Sequence, residues 1–166
     1  MARLKVRRFS KRDFDDYAET LLRSWPCDDI EEARENVHMA VEQAERGEEY
    51  ELWVAEFDRR AKGFMLLEFT RTWGRKGESF REKAAGINWL DVHPDSGRRG
   101  LGTSLVRKAV LRAKAKSLRR VFMHTAVTNL RAIYFATRNG FTLRRHLREF
   151  WGKGTADAFL LVLEVR

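Results

Sequence analysis

The chain has 166 residues, about the length of one domain, with 33 Lys and Arg against 24 Asp and Glu for a net charge of +9. Its 43% hydrophobic and 34% charged residues exclude a disordered tail, and a lone cysteine, Cys27, excludes an intramolecular disulfide and suits a reducing cytoplasm. The longest apolar runs, residues 64–67 and 158–163, fall far short of the ~20 residues of a membrane helix. The opening Met-Ala-Arg-Leu-Lys-Val-Arg-Arg lacks the apolar core of a secretory signal. A single cytoplasmic domain over residues 1–166, with no membrane association, is the expectation.

In chain order, Leu4–Arg8 alternates polar and apolar residues like a short strand. Ser10 or Asp13 can cap a first helix running to about Trp25, with Phe14, Tyr17, Leu21 and Leu22 on one face. Asp28 or Asp29 opens a second helix over residues 31–46, which Gly47 stops. Residues 50–57 and 63–69 read as strands joined by a turn at 58–62. A polar stretch, 70–83, has the length and charge of a mobile loop, and a strand follows at 86–92. Leu101, Leu105, Val106, Ala109, Val110 and Ala113 recur at helical spacing, predicting a helix over 102–116. A strand at 121–126, a helix at 129–138, and two strands at 142–151 and 158–165 around a turn at 152–157 complete the order. The pattern β-α-α-β-β-β-α-β-α-β-β predicts an α/β (α+β) fold with a mixed sheet.

The most informative segment is Val92-His93-Pro94-Asp95-Ser96-Gly97-Arg98-Arg99-Gly100-Leu101-Gly102-Thr103. A strand enters a loop with three glycines and a helix begins at once. Glycines permit positive φ and close backbone approach, and a helix start offers unpaired N–H groups with roughly half a positive charge. Together with Arg98 and Arg99 these make a phosphate or diphosphate cradle; a plain turn with surface arginines is the alternative. The order G-x-x-G-x-G is neither the nucleotide P-loop nor the Rossmann G-x-G-x-x-G.

Leu90-Asp91-Val92-His93-Pro94 followed by Arg98-Arg99-Gly100-Leu101-Gly102 resembles the acetyl-CoA-binding segment of the GNAT N-acetyltransferases, with its Gln/Arg-x-x-Gly-x-Gly/Ala pattern. Asn129-x-x-Ala132 and Gly140-Phe141 fall at the spacing of that family's second motif, and the element order is similar over nearly the whole chain. The resemblance implies a GNAT-like domain, a mostly antiparallel mixed sheet flanked by about four helices, using acetyl-CoA and no metal. It implies that backbone groups of Leu90 and Val92 bind the pantetheine and thioester carbonyl. The amides of Gly97, Arg98, Arg99, Gly100, Leu101, Gly102 and Thr103 would hold the pyrophosphate, and Asn129 would contact the pantetheine arm. The family's Gln/Arg position is Gly97 here, and Arg98 stands where glycine is common, so weaker side-chain clamping is expected.

The implied reaction is attack of a neutral amine on a thioester, which needs a proton acceptor, a carbonyl donor and a leaving thiolate. The helix tyrosine that serves the family as acid, seven residues after the Asn129 position, is Ala136 here. Tyr134 lies two helical steps away, almost on the opposite face. Water, Tyr50 or Tyr17 are the substitutes, and a catalytically dead acyl-CoA-binding regulator is the alternative reading. His124 lies five residues before Asn129, where ribosomal-protein N-α-acetyltransferases carry a basic glutamate. It is either the base, with an ordinary pKa near ~6.5, or a strand-face residue beside Phe122. His93 reads as structural or a weak cofactor contact, and Asn88 as a water holder facing the amine.

The ending Phe150-Trp151 … Asp157-Ala158 is similar to the Tyr-Tyr … Asp-Ala ending of protein N-α-acetyltransferases, whose aromatic pair lies beside the peptide N-terminus. Phe150 and Trp151 are thus substrate-binding candidates, with core packing as the alternative. Freeing an α-amine of pKa ~8 at pH 7 costs about 1.4 kcal/mol, against about 4.6 for a lysine at ~10.4, which favours an α-amine acceptor on a peptide or small molecule. Between Ser96 and Arg148 stand 14 Lys/Arg and no Asp or Glu. This field suits the cofactor's phosphates, an acidic peptide or RNA, or is a solvated helix face; no nucleic-acid recognition motif accompanies it. The sequence fixes no oligomeric state, and a dimer is compatible with it.

Overall fold

The structure, a computed structural model, describes residues 4–70, 84–97 and 99–165. Its elements are β1 (Leu4–Arg8), a 3-10 turn (Lys11–Asp13), α1 (Phe14–Ser24), α2 (Ile30–Glu45), β2 (Tyr50–Phe57), β3 (Arg60–Thr70) and β4 (Ala84–Val92). A second 3-10 turn (Pro94–Ser96), α3 (Leu101–Ala115), β5 (Arg120–Ala126), α4 (Leu130–Arg138), β6 (Thr142–Leu147) and β7 (Ala158–Glu164) follow. The strands form one seven-stranded sheet in the order β1-β2-β3-β4-β5-β7-β6, antiparallel at β1–β2, β2–β3, β5–β7 and β6–β7 and parallel at β4–β5. The mixed sheet is the one the residue pattern predicts, and its mostly antiparallel pairing with four helices is what the family resemblance implies. Of the predicted polar loop, residues 71–83 lie outside those described. By internal contacts the described residues fall into two units, one within Met1–Glu68 and Asn88–Lys108, the other within Phe69–Ile87 and Ala109–Arg166.

In the first unit, α1 and α2 bury Tyr17, Leu21, Ala33 and Val37 against Leu52, Val54 and Phe64 of β2 and β3. Tyr17 stacks on Phe64 with ring centroids 4.1 Å apart. Leu22, grouped with that face by its spacing, is instead 36% exposed. Asp29, the second of the two expected cap positions, caps α2 by accepting the Glu32 N–H at 2.9 Å. The β2–β3 turn is tighter than its composition predicts. Asp58 (φ 50°) and Arg59 (φ 66°) alone reverse the chain, both left-handed as a twisted two-residue hairpin requires. Asp16 of α1 fixes the far side, accepting the Ala61 N–H at 3.1 Å and pairing with Arg60 at 2.7 Å, so β3 begins three residues earlier than predicted.

Gly63 sets how close α3 comes to the sheet. A Cβ there would lie 3.2 Å from the Ala55 Cβ, a tight contact, and 3.5 Å from the Leu101 Cβ, so a larger residue would press the helix start away from β3 by a few tenths of an ångström. In the second unit the core is Phe122, Leu147, Leu160 and Val162, with Phe122 lying over Gly86, where an added Cβ would come within 2.5 Å of its ring. The strand predicted over 142–151 ends at Leu147. Glu149 takes φ 44°, and Asp157 Oδ1 accepts its N–H at 2.9 Å, which turns the chain out of the sheet. Phe150 and Trp151 therefore stand on a loop, and not on a strand.

Candidate active site

The glycine loop is built outward from β4. The His93 N–H donates to the Lys62 carbonyl of β3 (2.8 Å), the Ser96 N–H to His93 O (2.9 Å) and the Gly97 N–H to Pro94 O (3.2 Å). Gly100 then takes φ +79°, and its carbonyl accepts the Ser104 N–H at 2.9 Å, the first bond of α3. Gly100 is thus the N-cap and has no side chain to cap with. The N–H groups of Leu101, Gly102 and Thr103 have no partner inside the helix. Three unpaired donors and the positive helix end lie together at the start of α3, an arrangement suited to an anion. Leu101 is buried and anchors the helix start, Thr103 is half-buried, and Gly97 is exposed. The Arg99 guanidinium lies over the Phe57 ring, 4.8 Å from its centroid. Arg98 falls outside the described residues.

On β4, Leu90 and Val92 are half-buried and Asp91 is buried. Burial pushes the Asp91 carboxyl up to about 7, and the Tyr17 hydroxyl, which donates to Asp91 Oδ2 at 3.4 Å, pulls it back only in part. Tyr17 is wholly buried with its hydroxyl on Asp91, and the same burial holds its phenol well above its ordinary value, so it stays protonated. Asn88 donates to Glu68 Oε2 at 2.8 Å, and Glu68 sits opposite Tyr50 in the β2–β3 register. This carboxylate was missed by sequence reasoning because Glu68 belongs to no motif; only the strand pairing exposes it. Tyr50 stays protonated, its phenol raised by burial and then by Glu68 and Glu49.

His124, Phe150 and Trp151 come together in the second unit. The His124 ring stacks on Phe150 (centroids 4.2 Å apart) and meets Phe122 edge-on at 6.0 Å, while Trp151 packs edge-on against Phe150 at 5.1 Å and is itself half exposed. Burial lowers the His124 pKa to about 3, well under the ordinary value expected from its sequence context. The loop carrying the aromatic pair is tied by Asp157, which accepts from Glu149, contacts His146 Nε2 at 2.8 Å and takes the Val127 N–H on its carbonyl. Asn129 caps α4 by accepting the Ala132 N–H at 3.1 Å. Several of the run's cations are engaged: Lys108 over Trp53, Lys116 over Phe69, and Arg120 and Arg144 on Glu164.

The family model described as the acetyltransferase (GNAT) family matches residues 14–141. The chain belongs to the GNAT acetyltransferase family. Membership makes it an acetyl-CoA-dependent acetyltransferase. No curated protein sequence matches it. Among solved structures, Chaetomium thermophilum Naa20 in complex with a bisubstrate analogue is similar at TM-score 0.77 and 18% identity, over 97% of this chain and 86% of that one. The Escherichia coli ribosomal-protein-S18-alanine N-acetyltransferase is similar at TM-score 0.70 and 16% identity, over 98% and 94%. An Elizabethkingia anophelis GNAT acetyltransferase with acetyl-CoA bound is similar at 0.67 and 18%, over 97% of each chain. At these identities the likeness establishes the fold.

Within this GNAT domain the helix position expected to carry the acid is Ala136, which is fully buried. Tyr134 is 64% exposed, its hydroxyl accepting from Arg138 at 3.2 Å. No described helix is long and apolar enough to cross a membrane. Asp91 offers a stability test. Its native carboxyl keeps a proton up to about pH 7, while the unfolded chain releases it near ~3.9. The native state binds more protons over that window, so the group's contribution to stability falls as pH rises from about 4 to about 7. Relative to wild type, Asp91→Asn is expected to gain about 2–4 kcal/mol between pH 4.5 and pH 8 in urea unfolding. An unchanged difference across that range would mean that Asp91 is ionised in the fold.

Proposed function

We propose that the chain acetylates the α-amine of a protein or peptide N-terminus in the cytoplasm, by direct attack on acetyl-CoA in a ternary complex. The observation that supports the reading is the start of α3 at Gly100, which has no side chain to cap the first N–H groups and leaves them suited to a diphosphate. Backbone groups of Leu90 and Val92 take the pantetheine and the thioester carbonyl. The amides of residues 97–103, with Arg98 and Arg99, take the pyrophosphate, and Asn129 takes the pantetheine arm. Asn88, now paired with Glu68, and the Phe150–Trp151 loop serve the acceptor.

The neutral amine's lone pair attacks the thioester carbon, a C–N bond forms, and the C–S bond breaks. The thiolate, with a pKa near ~8.5, leaves without a protein acid and is protonated by water, consistent with a buried Ala136. His124 is neutral at every working pH and accepts the amine's proton, directly or through water, as the C–N bond forms. An amine that is already substantially unprotonated suits so weak a base. That favours an α-amine over lysine, and one solved relative of this fold is itself named an alanine N-acetyltransferase.

The test is thiol release from acetyl-CoA with matched peptides, one with only the α-amine free and one with only a lysine amine free. From the unprotonated fractions alone the α-amine peptide is expected to react about 10²-fold faster at pH 7. Equal or faster lysine acetylation, or turnover confined to small amines, overturns the N-terminal assignment.

A further inference from the structure

We propose that His93 and Glu19 form a positioning pair that fixes the diphosphate loop and so sets affinity for the phosphate-bearing part of the donor. The inference rests on the CoA-binding reading of that loop. His93 follows β4 directly and is 2% exposed. Its imidazole does something specific there. Nδ1 accepts the Asp95 N–H at 3.3 Å, capping the 3-10 turn, while the main chain on either side binds Lys62 and Ser96.

A neutral imidazole has one acceptor nitrogen, so this cap requires the proton on Nε2. Nε2 is buried and makes no hydrogen bond to a described atom; the carboxylate of Glu19, on α1, stands 3.6 Å away. Glu19 is in turn held by Arg60 and Arg23, each at 3.8 Å. A carboxylate beside Nε2 favours the Nε2–H tautomer and leaves the Nδ1 lone pair for Asp95. With the proton on Nδ1, two donors would face each other, and the Asp95 carboxylate, 3.8 Å from Nδ1, would compete for it. The turn Pro94–Ser96 would then lose its cap.

That turn decides where the loop goes next. Ser96 is buried and Gly97 bonds back to Pro94, so the path into Gly100 and α3 begins from a shape the imidazole holds. A purely space-filling role would be met more easily by an apolar side chain, since burying an imidazole nitrogen beside a carboxylate is unfavourable unless the pair is used. His93 acts through the loop and touches no reacting atom; it is a positioning residue.

The test reads CoA affinity by calorimetry at pH 7.5, and kcat/KM with S-acetylpantetheine, a donor without the diphosphate. His93→Phe keeps volume and loses the acceptor; His93→Asn keeps an acceptor that caps well. From the usual worth of a cap, His93→Phe is expected to raise the CoA Kd about 10-fold, and His93→Asn to recover to within about 3-fold of wild type. S-acetylpantetheine turnover changes less than about 2-fold in either. Glu19→Ala, on a partly exposed helix position, raises the CoA Kd about 3–5-fold in wild type and leaves the His93→Asn variant unchanged, because an amide has no tautomer to select. That pair of measurements stands even if His93→Phe does not fold. Equal effects of Glu19→Ala in both backgrounds, no advantage of Asn over Phe, or parallel losses with both donors overturn the proposal. A wild-type chain that binds no CoA refutes the underlying reading instead.

Discussion

A Gly100→Val variant is expected to bind CoA at least ~30-fold more weakly than wild type, with only a small loss of thermal stability. Gly100 sits at φ +79°, where a side chain adds about 1–2 kcal/mol of strain and a β-branched one more. A Cβ at this position meets nothing within 4 Å, so strain and not a clash is the whole penalty. It is relieved by rotating the flanking peptide units, which breaks the Ser104–Gly100 bond and swings the N–H groups of Leu101 and Gly102 away from a common target. About 2 kcal/mol corresponds to roughly 30-fold in Kd. Gly154 is a matched control. It has φ +80° and equally open surroundings, but lies in the β6–β7 connection, so Gly154→Val should leave CoA affinity unchanged. Equal effects of the two substitutions would mean that the α3 start has no special part in binding.

The second large effect concerns pH. For an α-amine acceptor, kcat/KM is expected to rise about tenfold per pH unit and to level near the amine's own pKa of ~8. No inflection appears at ~6.5, the value of an ordinary histidine. With His124 lowered to about 3 by burial, taking a proton from an ammonium of pKa ~8 before bond formation would be uphill by about 7 kcal/mol. The amine must therefore lose its proton to solvent first, and His124 contributes only as the C–N bond forms. His124→Ala should lower the plateau by ~10–10²-fold and leave the shape of the profile intact. An inflection near 6.5 that disappears in His124→Ala would show an imidazole of ordinary basicity and contradict the assignment. An unchanged rate across pH 6–9 removes His124 from the mechanism.

Legibility followed the range of the interactions. Helical spacing at Leu101, Leu105 and Ala109 and capping chemistry at Ser10 and Asp29 are local, and those elements fall within a residue or two of their predicted bounds. The course of the glycine loop, from the end of β4 into the start of α3, was legible for the same reason, since glycine spacing between a strand and a helix is a local signature. Boundaries set by distant partners were not. The β2–β3 turn is shortened by Asp16 of α1, and β6 is cut off at Leu147 by Asp157. Side-chain environments are less legible still. The His124 pKa is depressed by burial, at a site where Phe150 stacks on the ring from 26 positions away in sequence, and Glu68 gains meaning only from Asn88 and Tyr50 on neighbouring strands. Residue types alone carry none of this.

In the proposed function, main-chain amides at the start of α3 hold the diphosphate of CoA. Titrating the 15N-labelled chain with CoA and following its amide resonances tests it most directly. Saturable binding is expected, with the largest downfield proton shifts at residues 101–103 as their N–H groups meet phosphate oxygens. Saturable binding that leaves those resonances in place, or no binding at all, would contradict it.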